Sequence, residues 1–282
     1  MINYIQNDEL LIGVKTDGAE LTTVKDAKTR HEYLWQGDPA VWSGQSPILF
    51  PIVGRLKDDT YYLRGKPYTM PKHGFWRKRK AMLLYVGDDT MTFMQTDDAD
   101  TFELYPYRFR VLVTFTLEGR TLQVTHRVCN DNAEDMLFSI GAHPAFACAI
   151  GDKLTFSEPE TLCTQMIDRN SLRMPQTKPV LDNAREIEIT EHIFDGDALI
   201  LQGVKSPFVT LNADKPGQSV RFALHSPYLG IWAKPGAPYV CIEPWWGVND
   251  RDEITADFSG KEGIERLAPH DSREFVWSAE FQ

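Results

Sequence analysis

Apolar and polar residues alternate with a period of two over much of this 282-residue chain. Such alternation sends successive side chains to opposite faces of an extended backbone and predicts half-buried β-strands. The clearest case is RFRVLVTFTLEGRTLQVTHRVCN, where Val111, Val113 and Phe115 alternate with Arg110, Leu112, Thr114 and Thr116. Glu118-Gly119 supplies the turn, because glycine reaches positive φ without a Cβ clash. The returning strand puts Leu122, Val124, His126 and Val128 on one face and Thr121, Gln123, Thr125 and Arg127 on the other. ELLIGVKT and AELTTVKD flank Asp17-Gly18, and AMLLYVGDDTMTFMQT reads as two strands joined at Gly87-Asp88-Asp89. LILQGV, FVTLNA, SVRFAL, LGIWAK, YVCIEPW and REFVWSAEF follow, parted by Asp195-Gly196, Lys215-Pro216-Gly217 and Lys234-Pro235-Gly236.

Helical periodicity is confined to two short candidates, Asp38 to Trp42 and Thr255 to Gly260. Strands do not alternate with long helices, which disfavours a parallel α/β fold. The chain carries no internal repeat, low-complexity tract or linker. The expectation is an all-β protein: one domain over residues 1–282, built as a large antiparallel β-sandwich with a few short helices.

Composition narrows the function. With 42% hydrophobic and 25% charged residues the chain resembles ordinary globular proteins. A net charge of −10 argues against nucleic-acid or anionic-membrane partners, which need basic surface. The run KHGFWRKRK, Lys72 to Lys80, is a local exception and reads as a solvated strand edge or loop rather than an anion site. No apolar run approaches the roughly 20 residues that span a bilayer. The opening MINYIQNDEL has neither the basic nor the apolar region of a secretory signal. Cys129, Cys148, Cys163 and Cys241 form no CxxC pair, so the expectation is a cytoplasmic protein with reduced thiols.

Four polar residues stand in settings that ask for a partner. Glu243 follows Val240-Cys241-Ile242 and precedes Pro244, Trp245 and Trp246, and a lone carboxylate buried among such groups is costly. It either closes a strand end in a salt bridge or serves as a general base or hydroxyl acceptor. His143 ends FSIGAHPAF, with the small Ser139 and Gly141 on its own strand face. It is either a hydrogen-bonded core residue or a group beside space cleared for a ligand. A sugar ring suits such a site, since aromatic rings fit its C–H face and carboxylates its hydroxyls; Trp246 is the ring assigned to that contact. His73 lies in PKHGFW, a loop or strand entry where a surface role is equally open. Arg55 ends SPILFPIVGR and either pairs with a nearby acid or donates its fork to ligand oxygens. His126 reads as a core residue, and His31, His192, His225 and His270 read as surface.

Taken in order, SPILFPIVGR, KHGFWR, FSIGAHPAF and CIEPWWG resemble the aldose 1-epimerase, or galactose mutarotase-like, family and its shorter aldose 1-epimerase-like branch. The resemblance runs from about Leu10 to Val276. It implies a supersandwich fold and interconversion of the α and β anomers of a free hexose. It matches Glu243 to the catalytic base, His143 to the acid, His73 and Arg55 to sugar contacts, and the EHIFDGDALIL segment to a sugar-binding aspartate. Asp195 and Asp197 both qualify there, with Asp195 preferred. The implied partner is a small-molecule sugar, either a hexose or a hexose 6-phosphate with Lys57 and the basic run as its phosphate site. A non-catalytic sugar binder of the same fold is the other reading. Neither cofactor nor metal is implied, and a site built on His73, His143 and Glu243 lacks an HExxH or a closely spaced histidine pair. The chemistry needs a base and an acid on one hemiacetal, and the unperturbed values of glutamate and histidine suggest a carboxylate facing an imidazolium at neutral pH.

Overall fold

A computed structural model describes residues 1–213, 218–253 and 257–282. The turn expected at Lys215-Pro216-Gly217 lies outside them, as does the start of the Thr255 to Gly260 helix candidate, of which Phe258–Gly260 forms a single 3-10 turn.

Two antiparallel sheets dominate. The larger has nine strands, in the order Arg173–Glu188, Lys153–Ile167, Phe208–Asn212, Val220–Ala223, Ser272–Phe281, Thr121–Asn130, Phe109–Glu118, Thr90–Thr96 and Met82–Val86. The second runs Leu199–Gln202, Tyr228–Trp232, Tyr239–Trp246, Ile140–Ala142 and Ile48–Leu49, with Ala145–Ala147 also pairing to Tyr239–Trp246. The 109–130 hairpin closes at Glu118 opposite Thr121 with Gly119 at φ 55°, and its alternation places Val111, Val113, Phe115, Leu122, Val124 and Val128 in the core.

The sheets pack face to face through aromatic contacts. Phe146 meets Phe222 at 6.1 Å and Trp246 meets Phe275 at 5.4 Å between ring centroids, and Phe50 and Phe138, outside the strands of the two sheets, add contacts to Phe109 at 5.2 Å and to Phe275 at 5.7 Å. One continuous hydrophobic core runs from Ile5 to Phe281. Period-two alternation splits the second sheet between two environments. Leu199, Leu201, Leu229, Ile231 and Ile242 join that core, whereas Leu49, Ile200, Tyr228 and Trp245 form a small apolar cluster on the opposite face. That outer face carries the candidate site.

Asp38 to Trp42 is one turn rather than a helix: Trp42 N–H donates to Asp38 O at 2.8 Å and Asp38 Oδ1 accepts from Ala40 N–H. Pro39 and the short polar Asp38 favour a turn over continued helix. The α-helix observed, Ala99–Leu104, escaped the periodicity because six residues cannot express it. Its signal is the capping box of Asp98 and Thr101. Among the described residues no helix is long and apolar enough to cross a membrane.

Candidate active site

Glu243 sits in the middle of Tyr239–Trp246, opposite Gly230 on the neighbouring strand. His143 occupies the break between Ile140–Ala142 and Ala145–Ala147. Pro144 ends pairing there, and two backbone bonds hold the break: His143 N–H donates to Pro47 O at 3.1 Å and Ile242 N–H to Pro144 O at 3.2 Å. The result brings His143 Nε2 to 3.2 Å from Glu243 Oε1. Both are buried, Glu243 at 1% exposure and His143 at 8%. They touch directly rather than face each other across a ring.

The other carboxylate oxygen, Oε2, accepts the indole N–H of Trp245 at 3.0 Å. Glycines make room for that indole. A Cβ on Gly230 would lie 2.8 Å from Trp245 Cζ2, and one on Gly141 would lie 3.0 Å from Trp245 Cδ1. The space beside Gly141 is therefore filled by Trp245 and not by a ligand. Trp245 shares the face of Glu243, two residues away, so it lines the cavity. Trp246 points the other way and meets Phe275 edge-on at 5.4 Å between the sheets.

Above the pair lies a cavity of about 430 Å³. Trp42 lies over the His143 ring at 5.1 Å and Trp232 meets its edge at 5.5 Å. His73 stands 5.9 Å from His143, ring to ring. It has φ 65° and is followed by Gly74, whose Cβ would fall 2.1 Å from Phe50 O; only glycine allows this approach. His73 Nδ1 accepts the amide of Gly54 at 3.1 Å, which leaves Nε2 as the protonated donor in the neutral ring.

Besides Trp246, three positions assigned from sequence lie elsewhere. Arg55 donates Nε and Nη2 to both oxygens of Asp59, at 2.8 and 2.7 Å, and is outside the cavity lining. Asp59 raises its pKa and consumes its fork. Asp195 is exposed and pairs with His192 at 3.0 Å, while Asp197, at φ 75°, lines the cavity. Lys57 donates to Asp252 O and is also remote from the cavity. Lys72 and Arg77, read as a solvated edge, line it instead. Lys72 Nζ donates to Ser171 Oγ at 3.2 Å and Arg77 Nη2 to Lys72 O at 3.0 Å. Neither has a carboxylate partner among the described residues. Trp42, Trp232 and Asn249 also went unassigned. Trp232 was findable, since Gly230 opposite Glu243 places Trp232 on the same face.

Burial governs the electrostatics. It pushes the Glu243 carboxyl well above its usual range, only partly opposed by the Trp245 N–H. It pulls His143 down to about 3 and His73 well below 6.5, with Lys72 and Arg77 acting in the same sense. Burial therefore acts against charge on either group, in the opposite sense to the carboxylate and imidazolium suggested by unperturbed values. The His143–Glu243 contact couples the two, so the pair titrates as a unit. Its Nδ1 is buried without a partner from another residue, which leaves the tautomer to be set at Nε2. His143, Cys241 and Glu243 offer three donor atoms within 4.8 Å of one another, the metal-capable group found among the described residues. Burial raises the Cys241 thiol well above its ordinary value, which disfavours the thiolate a metal needs.

A family model described as aldose 1-epimerase matches residues 2–251. The chain is 33% identical to the chromosomal Protein LacX of Lactococcus lactis subsp. lactis, over 95% of each chain. Among solved structures it is similar to a galactose mutarotase related enzyme from Lactobacillus acidophilus. The TM-score is 0.95 and the identity 30%, covering 100% of this chain and 97% of the other. A galactose mutarotase-like protein from Lactobacillus casei ATCC 334 gives a TM-score of 0.93 and 28% identity over all of both chains.

Proposed function

The chain belongs to the aldose 1-epimerase family and is an isomerase of the mutarotase type; we propose that it interconverts the α and β anomers of a hexose, with Glu243 as base and His143 as acid. The observation that carries this reading is the 3.2 Å contact between His143 Nε2 and Glu243 Oε1 at the floor of the cavity. Opening a cyclic hemiacetal takes a proton from the C1 hydroxyl and gives one to the ring oxygen. Both oxygens are bonded to C1, so two side chains in contact suit them better than two groups on opposite sides of the ring.

The proton count supports the roles. A protonated carboxyl with a neutral imidazole holds one proton, and so does a carboxylate with an imidazolium. Proton transfer from Glu243 to His143 converts the form that burial favours into the working form with no exchange with solvent. Trp245 N–H favours the carboxylate. Glu243 then takes the C1 hydroxyl proton while His143 gives its own to the ring oxygen, the C1–O5 bond breaks and the aldehyde forms. Rotation about C1–C2 and ring closure in reverse deliver the other anomer and return the pair to its starting state. His73, Asp197 and the rings of Trp42 and Trp232 would hold the hydroxyls and the C–H face.

A second reading rests on Lys72 and Arg77, two cations at the cavity without carboxylate partners among the described residues: the hexose carries a phosphate. Anomeric-proton NMR on freshly dissolved α-anomers of glucose, galactose and their 6-phosphates tests both. Acceleration by the protein is expected, with Glu243→Gln slower by at least ~10²-fold and folded. An unaccelerated equilibration of all four sugars, or an active Glu243→Gln, removes the assignment.

A further inference from the structure

The outermost strand of the nine-stranded sheet, Met82–Val86, is exposed along its whole length. Its five apolar side chains, Met82, Leu83, Leu84, Tyr85 and Val86, are 37% to 57% exposed. A strand at a sheet edge normally hides alternate residues. Here Leu83 and Val86 pair with the buried Phe93 and Met91, on the core side of the sheet, and yet extend past the end of the core. Beyond its ladder with Thr90–Thr96, the strand makes no backbone hydrogen bond among the described residues. Natural sheets guard such edges with charge, proline or a bulge, and this strand has no charge or proline and only the register shift at Leu84.

Its flanks carry opposite charges. Lys78 and Lys80 precede the strand, Asp88 and Asp89 follow it, and all four are exposed without ion-pair partners among the described residues. The first strand, Ile2–Gln6, is tied beside it at both ends. Gln6 N–H donates to Asp88 O at 3.0 Å, while Ala81 N–H donates to Thr16 O at 2.8 Å and Thr16 N–H to Met1 O at 3.0 Å. Ile2 and Tyr4, 45% and 52% exposed, thereby widen the apolar area.

We propose that this surface is covered by a second copy of the chain, packed antiparallel across a two-fold axis near Leu84. That arrangement sets Lys80 of one copy against Asp88 of the other, and the contact occurs twice by symmetry. A parallel arrangement would oppose like charges. The interface is isologous, so it closes at two copies and protects the edge from open-ended pairing.

Sedimentation equilibrium on the full chain, with far-UV circular dichroism as the control for folding, tests this. The wild type is expected to be a dimer at micromolar concentration, and Leu84→Lys a folded monomer. Lys80→Glu, which places two acids together twice, is expected to weaken association about tenfold. Lys80→Glu combined with Asp88→Lys should restore it. A monomeric wild type, a dimer indifferent to both single variants, or a double variant no tighter than Lys80→Glu each overturns the proposal.

Discussion

Burial disfavours charge on His143 and on Glu243 alike. Trp245 sets how readily the carboxylate form is reached. In the carboxylate form its N–H donates to a charged acceptor, a bond worth roughly 1.5–3 kcal/mol. Trp245→Phe keeps the ring and removes the donor, so the Glu243 pKa should rise further. At 1.36 kcal/mol per decade, anomerisation should fall about 10- to 100-fold, read by polarimetry with KM little changed. A variant at wild-type rate would deny Trp245 this role. The residue scale is also where the sequence was least legible. Arg55 against Asp59 is an i,i+4 pair that nothing local distinguishes from a free fork. Asp195 and Asp197 flank one glycine in a turn, and only the turn's path sends Asp197 to the cavity. Trp245 over Trp246 was decidable in principle, because alternation from Glu243 already puts Trp245 on its face.

At the scale of elements, the site depends on how Tyr239–Trp246 fits between its neighbours. Gly230 on one side and Gly141 on the other give the Trp245 indole its place. Gly230→Ala puts a methyl 2.8 Å from Cζ2 and 3.2 Å from Glu243 Cβ, so the ring must move. Overpacking of this kind costs about 1–3 kcal/mol. Urea unfolding should show a lower midpoint at unchanged slope, and activity should fall with it as the bond to Glu243 is lost. Full activity in that variant would mean the ring has room that the geometry denies. The 109–130 hairpin was legible because long strands with a buried and a wet face state their register in the sequence. The three-residue strands around His143 were not: Met136–Phe138 pairs with Glu265–Leu267, while Ile140–Ala142 and Ala145–Ala147 take opposite ends of Tyr239–Trp246. Each is too short to carry a period.

For the whole molecule, buried neutral histidines make acid stability the measurable consequence. His126 is fully buried opposite Val113 and Phe275, and burial lowers its pKa to about 4. Unfolded, it titrates near 6.5. The unfolded chain therefore binds the extra proton first, and stability rises with pH across this window. The contribution is complete above pH 6.5 and is lost as pH falls towards 4, amounting to about 3 kcal/mol at 1.36 kcal/mol per unit. His73 acts in the same direction, whereas the raised Glu243 opposes it. His126→Leu isolates one group: urea unfolding should lose much of its dependence between pH 6.5 and 4.5, and an unchanged slope would place the titration elsewhere.

The sequence by itself determined the antiparallel all-β class and the strands with a clear two-residue period, and it singled out His143 and Glu243 as candidates, whereas the two longest strands, Lys153–Ile167 and Arg173–Glu188, escaped it. Alternation and turn residues are local properties, and a buried carboxylate beside aromatic rings is costly wherever it lies. Tertiary structure alone decided that these two groups touch, that burial works against charge on both, and that Lys72, Arg77 and Asp197 rather than Arg55 and Asp195 reach the cavity. Contact, desolvation and the direction a loop takes arise only when distant strands pack, and no local pattern encodes them.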